Sequence, residues 1–271
     1  MATSVYLNRR RNAAEEPVDE TFLIYGDSGS GKTYLASSFP KSKEAPMAYI
    51  NILEDGIGSA ELEDRKMIEI IDLETFEEVD EFFSDVYNGY SLDDNGEKHE
   101  MKFSSIIIDS ATNLEFLIKK WLRDSSGKQT MTVNLWGQKT DTDESLYNLV
   151  KSLTRKLKIP VVMIAHTKKI GDDDNPQFNK EIPSLQERTA RSLAAKSSFV
   201  WFTKVEYDST VVEGQLQQSV GFYTYINTHP YLLTKARKPA SMEIPMKIKN
   251  LKYDTFKKNV LDKININKEE R

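Results

Sequence analysis

The residues best suited to chemistry in this 271-residue chain lie in one short stretch, 26–33, which reads GDSGSGKT. Its spacing fits the phosphate-loop pattern of a glycine, four residues, then glycine, lysine and serine or threonine. In that pattern main-chain N–H groups hold phosphates, the lysine neutralises the outer phosphates, and the hydroxyl binds magnesium. We therefore predict a nucleotide-binding loop. Its residues are Gly26, Asp27, Ser28, Gly29, Ser30, Gly31, Lys32, Thr33 and the following Tyr34.

Hydrolysis also needs a magnesium partner and a residue that orients water, and the sequence offers both. Asp109 ends the apolar run SSIIID, where a carboxylate at the edge of a sheet can hold magnesium together with Thr33. The next residue is Ser110, although many ATPases and helicases carry a glutamate there, so the water-activating acid must come from elsewhere. Glu54 is the first choice and Asp55 the second, with a plain acidic loop as the alternative.

His166 follows the apolar run VVMIA, at the tip of another expected strand. Its ring should face the γ-phosphate side of the site, where a hydrogen bond can report the state of the nucleotide. A histidine that only caps the end of a strand is the alternative.

A sheet must position these groups, and apolar runs predict its strands. Four buried strands are expected at 22–25, 48–53, 104–109 and 161–165. Apolar residues at helical spacing predict helices over 73–87, 112–121 and 146–157. Strands that alternate with helices indicate an α/β fold with a mostly parallel central sheet flanked by helices. Short runs at 199–205, 219–226 and 231–234 predict antiparallel strands added near the C-terminal end.

Composition narrows the class of protein. Charged residues make up 29% of the chain and hydrophobic residues 39%, which is ordinary for a soluble globular protein. No run approaches the ~20 apolar residues of a membrane-spanning helix, so we expect no membrane contact and a cytoplasmic location. The chain has no cysteine and only three histidines, which argues against disulfides and zinc sites. The net charge of −5 means that any DNA contact must be local.

The expected organisation is one ATPase core with two polar ends. Residues 1–20 predict a flexible N-terminal arm, 21–240 the core, and 241–271 a basic C-terminal extension. The run Arg9-Arg10-Arg11 is either a basic arm for nucleic acid or simply solvated. The C-terminal end is likewise either a phosphate-contacting surface or a solvated helix.

Five motifs in this order resemble the phage RecA-like AAA ATPases, including the Sak group of single-strand annealing proteins. They are IYGDSGSGKTYLASSFP, AYINILEDG, SIIIDSATNLE, Trp136-Gly137 and VVMIAHTKK, within residues 21–240. The resemblance implies a RecA-like P-loop NTPase fold, ATP and Mg²⁺ as cofactors, and a role in phage DNA recombination or replication. The location would then be the host cytoplasm. The chain departs from relatives at Asp27-Ser28, where prolines are frequent, and at 175–192, whose equivalent is variable.

The sequence LTKAR is similar to the Lys-x-Arg pair that RecA-like hexameric motors send into a neighbour's active site. By this resemblance Lys235 and Arg237 are catalytic, with Arg237 stabilising transition-state charge in trans. A homo-oligomer, either ring or filament, would follow. An unpaired surface pair is the alternative.

In RecA-type proteins the loops after the central strands face single-stranded DNA, which here would be 124–140 and 167–186. Both segments combine lysines with an aromatic residue, as phosphate neutralisation and base stacking require. The predicted DNA-binding residues are Lys128, Lys139, Lys168, Lys169, Phe178 and Lys180. Against this, 172–174 is a run of three aspartates, and Trp136 could belong to the core.

The leading functional hypothesis is an Mg-ATP-dependent ATPase that binds single-stranded DNA and promotes annealing or recombination. A single-strand DNA-binding protein is a candidate partner. The alternative is a nucleotide-gated partner protein, such as a helicase loader or regulatory phage ATPase, whose hydrolysis would ignore DNA. A small-molecule phosphotransferase would need an arginine-rich lid, and no such cluster follows the nucleotide core.

Overall fold

The computed structural model describes residues 18–54, 58, 62–93, 95–172, 175–212 and 215–264. The first half contains β1 (Thr21–Gly26), α1 (Lys32–Ala36), β2 (Met47–Asn51), α2 (Leu62–Arg65), β3 (Ile68–Asp72), α3 (Phe76–Asn88), β4 (Tyr90–Leu92), β5 (Lys98–Glu100), β6 (Ser105–Asp109) and α4 (Ala111–Ser126). The second half contains α5 (Val133–Leu157), β7 (Val161–Asp172), β8 (Asn175–Pro183), α6 (Glu187–Lys196), β9 (Phe199–Val212), β10 (Gln215–Tyr225), β11 (Lys235–Ala236), β12 (Lys247–Lys249), α7 (Tyr253–Phe256) and a π-helical turn, Lys257–Leu261.

The main sheet has the strand order β12-β10-β9-β1-β7-β6-β2-β3, with β8 paired to β7 and β11 to β9. The strands from β9 to β3 in that row run parallel, whereas β10, β12, β11 and β8 pair antiparallel. The predicted fold class is therefore confirmed. Since β1, β7 and β6 are neighbours, their carboxyl ends bring Gly26, His166 and Asp109 to one edge of the sheet.

The parallel strands are buried on both faces, which explains their almost uninterrupted apolar sequences. In β1, Leu23 and Tyr25 pack into one hydrophobic cluster beneath α3, α4, α5 and α6. Phe22 and Ile24 point to the opposite face and pack into a second cluster with α1. The helices on the two faces thus fix the strand ends that carry the site.

The C-terminal segment that we expected to be an extension shares this second cluster. Tyr253, Phe256 and Leu261 are buried there. The Phe256 ring lies 4.7 Å, centroid to centroid, from Trp201 of β9. At the other end, Asp19 is buried and paired with the Arg155 guanidinium at 2.8 Å. The rest of the expected arm, 1–17, and the end 265–271 lie outside the described residues.

Two segments expected to be loops are regular structure instead. Most of 124–140 is helical, because α5 begins at Val133, where the Thr132 hydroxyl caps it by accepting a hydrogen bond from the Leu135 N–H. Trp136 and Gly137 therefore lie within a helix. The segment 167–186 is largely a hairpin, in which β8 pairs with the outer half of β7. The strand expected at 231–234 is displaced to β11. In the described part of the chain, no helix combines the length and apolarity needed to cross a membrane.

Candidate active site

The loop between β1 and α1 needs its glycines for geometric reasons. Gly29 and Gly31 have φ angles of 75° and 89°, in the left-handed region that other residues rarely adopt. A Cβ atom at Gly26 would lie 2.3 Å from the carbonyl oxygen of Thr203 on β9, so that position excludes any side chain. The spacing of the motif thus reflects both backbone conformation and close strand packing.

Lys32 is buried at the base of this loop, with 8% of its surface exposed. Its Nζ donates hydrogen bonds to the carbonyl oxygens of Gly26, at 3.0 Å, and Asp27, at 2.8 Å. Burial lowers the pKa of Lys32, while the charges of Asp109 and Glu54 act in the opposite direction. An ammonium group in a cavity, bonded to carbonyls, fits the binding of an anion.

A cavity of about 700 Å³ opens over the loop, within the size range of small-molecule sites. It brings together most of the predicted site residues: Ser28, Gly29, Gly31, Lys32, Thr33, Tyr34, Glu54, Asp109 and His166. Val220, Phe222 and Asn250, which the sequence did not reveal, complete the lining. Three residues of the predicted loop, Gly26, Asp27 and Ser30, are not among the lining residues. Ser30 turns away from the cavity, with its Oγ 2.7 Å from Thr203 Oγ1.

The oxygen atoms expected to hold magnesium lie close together in the lining of the cavity. Thr33 Oγ1 lies 3.5 Å from Asp109 Oδ2, and the Tyr49 hydroxyl donates a hydrogen bond to the same carboxylate oxygen. Burial raises the pKa of Asp109, although the Tyr49 hydrogen bond and the charge of Lys32 oppose that rise. A carboxylate and a hydroxyl beside a phosphate-binding loop suit Mg²⁺, which binds proteins through one or two carboxylates plus phosphates. These residues therefore fit Mg-nucleotide.

Glu54 is held at the edge of the cavity by three polar side chains. Its Oε1 accepts hydrogen bonds from Ser110 Oγ, at 2.8 Å, and Asn113 Nδ2, at 3.0 Å, and lies 3.0 Å from His166 Nε2. Leu53, just before it, has a φ of 53°, an uncommon conformation for a residue other than glycine. Asp55, the second choice for the acid, lies outside the described residues. The only signal for Asn113 in the sequence was its place three residues after the N-cap of α4, Ser110.

Comparison with known families agrees with this geometry. A family model described as an AAA domain matches residues 19–238, most of the chain. The chain belongs to the AAA domain family. It is an AAA-type P-loop ATPase domain, which binds nucleotide. A search of curated proteins found no match.

The Lys-x-Arg pair lies away from the phosphate loop of its own AAA domain. Lys235 Nζ closes the end of α6 by donating hydrogen bonds to the carbonyl oxygens of Ala194, Ala195 and Ser197. Strand β11 pairs with the first residues of β9, and these residues lie beside Phe22 of β1. Gly26 is at the other end of β1, so the Lys-x-Arg pair lies about 13 Å from Gly26 in the strand direction. Arg237 is exposed.

One predicted DNA contact of the AAA domain is wrong, because Lys139 is fully buried in the core. Its Nζ lies 2.7 Å from Glu115 Oε1 and 2.5 Å from Asp143 Oδ2, and it donates to Thr189 Oγ1 at 2.9 Å. Burial alone would raise the pKa of Glu115, but the hydrogen bond and charge of Lys139, together with the Gln186 N–H and the charge of Lys119, outweigh it and lower that pKa. Lys139 therefore stabilises the packing of α4, α5 and α6.

The other predicted DNA contacts are divided among different places. Lys128 is exposed in the turn between α4 and α5, and Lys168 is half-buried with its ammonium bonded to the Leu185 carbonyl oxygen. Lys169 and Lys180 are exposed on the β7–β8 hairpin. Phe178 lies on β8, and its side chain is outside the described residues.

Lys169 and Lys180 line a second, smaller cavity of about 280 Å³, which we call the basic groove. Its remaining lining residues are Asn179, Glu181, Phe202, Lys204, Tyr225, His229, Tyr231 and Leu232. The rings of His229 and Tyr231 lie 5.9 Å apart, and those of Tyr225 and His229 lie 5.6 Å apart. The lining of the groove thus combines lysines with a row of aromatic rings.

Proposed function

We propose that this AAA domain is a Mg-ATP-dependent ATPase that binds single-stranded DNA and promotes strand annealing or recombination in phage DNA metabolism. One observation carries the proposal: a single hairpin, β7–β8, reaches from the nucleotide cavity to the basic groove. His166, which contacts Glu54, and Lys169, which lines the groove, lie three residues apart on the same strand.

Five residues of the cavity have distinct parts in hydrolysis: Lys32, Thr33, Glu54, Asp109 and His166. When bound, Mg-ATP supplies the phosphoanhydride bond and a cation that neutralises its phosphates. Lys32 neutralises the outer phosphates, and the oxygens of Thr33 and Asp109 hold the metal. Glu54 orients the attacking water and accepts its proton as a general base. His166 positions the Glu54 carboxylate through the contact between Nε2 and Oε1.

Two further hydrogen bonds fix the base of the hairpin, one between its own two ends at His166 and one to Tyr25 of β1. The Ser184 N–H donates to the His166 carbonyl oxygen at 2.7 Å. Tyr25 precedes Gly26 in the sequence, and its hydroxyl donates a hydrogen bond to the Glu181 carbonyl oxygen at 3.0 Å. A ligand that displaced the hairpin would act on Glu54 through the His166 contact and on β1 through Tyr25, which supports the proposal that DNA stimulates hydrolysis.

The chemistry of the basic groove suits a single strand better than a duplex. Lys169, Lys180 and Lys204 can neutralise backbone phosphates, while exposed rings such as Tyr231 offer stacking surfaces for unpaired bases. The groove also contains Glu181, which limits its positive charge.

The direct test is ATP hydrolysis with Mg²⁺, with and without single-stranded DNA, over a range of protein concentrations. We expect DNA to raise the rate, and the double variant Lys169→Ala/Lys180→Ala to lose that stimulation while keeping the basal rate. Two exposed lysines elsewhere give a matched control, Lys43→Ala/Lys102→Ala, which should behave as wild type. A hydrolysis rate that is the same with and without DNA would contradict the proposal and favour the nucleotide-gated partner protein. A single-strand DNA-binding protein would then no longer be an expected partner.

We also propose that the active unit is a homo-oligomer, either ring or filament, in which Arg237 of one subunit stabilises transition-state charge in the site of the next. Mixing two inactive variants tests this. Arg237→Ala keeps an intact phosphate loop, and Lys32→Ala keeps an intact arginine. Recovery of hydrolysis in the mixture would support action in trans. In a mixed oligomer, the intact phosphate loop of an Arg237→Ala subunit can lie beside the intact arginine of a Lys32→Ala subunit, which neither variant alone can provide. Persistent inactivity in a mixture that co-assembles would contradict it.

A further inference from the structure

The nucleotide cavity has two chemically different ends. Asp109, at the end of β6, and Glu54, after β2, lie on one side of β1 and form the polar end. Val220 and Phe222 lie on β10, on the other side of β1, and form the apolar end. These two apolar side chains are 56% and 42% exposed. Exposed apolar side chains that line a ligand cavity are a feature of binding surfaces, since they bury their area only when the ligand is bound.

The register of the sheet directs these side chains towards the phosphate loop. Val220 and Phe222 are two residues apart, so they share one face of β10, the face against which α1 packs. A Cβ atom at Gly31 would lie 3.0 Å from Phe222 Cδ1, which puts the ring directly beside the first turn of α1. Tyr223 points to the opposite face, where its hydroxyl donates to Asp208 Oδ1 at 2.6 Å. The apolar surface therefore adjoins the loop.

Asn250 adds one polar group to this apolar end. It follows β12 with a φ of 49°, and its N–H donates to the Phe222 carbonyl oxygen at 2.7 Å, so its backbone is fixed beside the ring. A side-chain amide both donates and accepts hydrogen bonds. Asparagine can bond the N6 and N7 atoms of adenine together, a pattern that guanine does not present.

We propose that Phe222 and Val220 form the surface on which the base of the nucleotide lies, and that Asn250 selects adenine. The inference rests on the proposed function, because it concerns the nucleotide whose phosphates bind at Lys32. With the terminal phosphate directed towards Asp109 and Glu54, the base extends towards the apolar end of the cavity.

Binding of two ligands that differ by the nucleoside tests the stacking surface. Calorimetric titration with Mg-ATP and with Mg-tripolyphosphate should show that Phe222→Ala weakens ATP binding at least about fivefold and leaves tripolyphosphate binding unchanged. Phe222→Tyr, which keeps the ring, should bind ATP as wild type does. The matched control is Phe116→Ala, since Phe116 is 51% exposed on α4 and does not line the cavity.

Equal losses for both ligands in Phe222→Ala, or no loss for either, would overturn the base subsite while leaving the phosphate site intact. A wild-type protein that binds neither ligand would overturn the phosphate site, and the base subsite with it. The two failures are thus distinguishable.

Asn250→Gly tests base selection without straining the backbone, because glycine adopts a positive φ at no cost. Wild-type protein should bind Mg-ATP more tightly than Mg-GTP, and the variant should reduce that ratio at least about fivefold. An unchanged ratio, or a wild type without a preference for ATP, would overturn the role of Asn250.

Discussion

Two lysines in this AAA domain are buried near pairs of carboxylates, and they differ in what their ammonium groups contact. Lys139 bonds directly to Glu115 and Asp143, inside the core. Lys32 lies close enough to Asp109 and Glu54 to feel their charge, yet it donates to main-chain carbonyl oxygens and lines a cavity. One positive charge is matched within the fold, whereas the other is available to a ligand. The difference separates a structural charge from a functional one.

Replacement of Lys32 should show the largest effect on activity. We expect Lys32→Met to reduce ATP hydrolysis to background, because no other group would neutralise the outer phosphates at the base of the loop. The free energy of unfolding should fall by about 1–3 kcal/mol, because the carbonyl oxygens of Gly26 and Asp27 each lose a hydrogen bond from a charged donor. Hydrolysis assays and urea unfolding of the same preparation would measure both. Normal turnover in this variant would remove the basis of the proposed site.

Glu54→Gln should separate chemistry from binding. The amide keeps the size of the side chain but cannot accept a proton from water, so we expect turnover to fall by about 10²- to 10⁴-fold. Mg-ATP affinity should stay near that of wild type, since Lys32, Thr33 and Asp109 are unchanged. A matched control is Glu187→Gln, an exposed carboxylate on α6. Turnover close to wild type in Glu54→Gln would exclude Glu54 as the general base.

The sequence predicted the polar end of the cavity because a phosphate loop is a local pattern, and because the ends of parallel strands converge at one edge of a sheet. It did not predict Tyr49 or Asn113, whose positions depend on the pairing of β2 with β6. It likewise missed Phe222, whose position depends on the antiparallel pairing of β10 with β9. Local patterns thus identified the chemistry, and non-local pairing decided which side chains surround it.

The same limit explains the wrong assignment of Lys139. Lys139 was assigned to DNA because it lies in the segment 124–140, which was expected to be a loop and combines lysines with Trp136. The burial of Lys139 comes from Glu115 on α4 and Thr189 on α6, which are remote in the sequence. Among the strands, β3 was missed because all five of its residues are exposed or half-buried, so it lacks the continuous apolar run of its neighbours.

Replacement of Lys139 should therefore reduce stability rather than DNA binding. We expect Lys139→Met to lower the free energy of unfolding by about 3–5 kcal/mol at pH 7, because it leaves the buried Asp143 carboxylate without its ion-pair partner and Glu115 with only the half-buried Lys119, at 3.2 Å. Urea unfolding measures this loss. The variant of the exposed Lys128, Lys128→Met, is the control and should unfold as wild type does.

The loss in Lys139→Met should also depend on pH. Burial already raises the pKa of Asp143 above its ordinary value in the wild type. A carboxyl group whose pKa is higher in the folded than in the unfolded state stabilises the fold as the pH falls through that range. Without Lys139 this effect grows, so the difference from wild type should be smaller at pH 5 than at pH 7. An equal difference at both pH values would show that lost packing, not unpaired charge, causes the instability.

The smallest effect should come from Thr189, whose hydroxyl completes the same cluster. Its Oγ1 accepts a hydrogen bond from Lys139 and donates one to Asp143 Oδ2 at 2.7 Å. Thr189→Val keeps the shape of the side chain but leaves both partners one bond short, which should cost about 1–3 kcal/mol in urea unfolding. Thr140→Val is the control, because the Thr140 hydroxyl only bonds back to the Trp136 carbonyl oxygen of its own helix.

Equal losses in the two variants would mean that Lys139 and Asp143 do not need Thr189. A larger loss in Thr189→Val, with ATP hydrolysis unchanged, would support a cluster that is satisfied within the fold and takes no part in the nucleotide site.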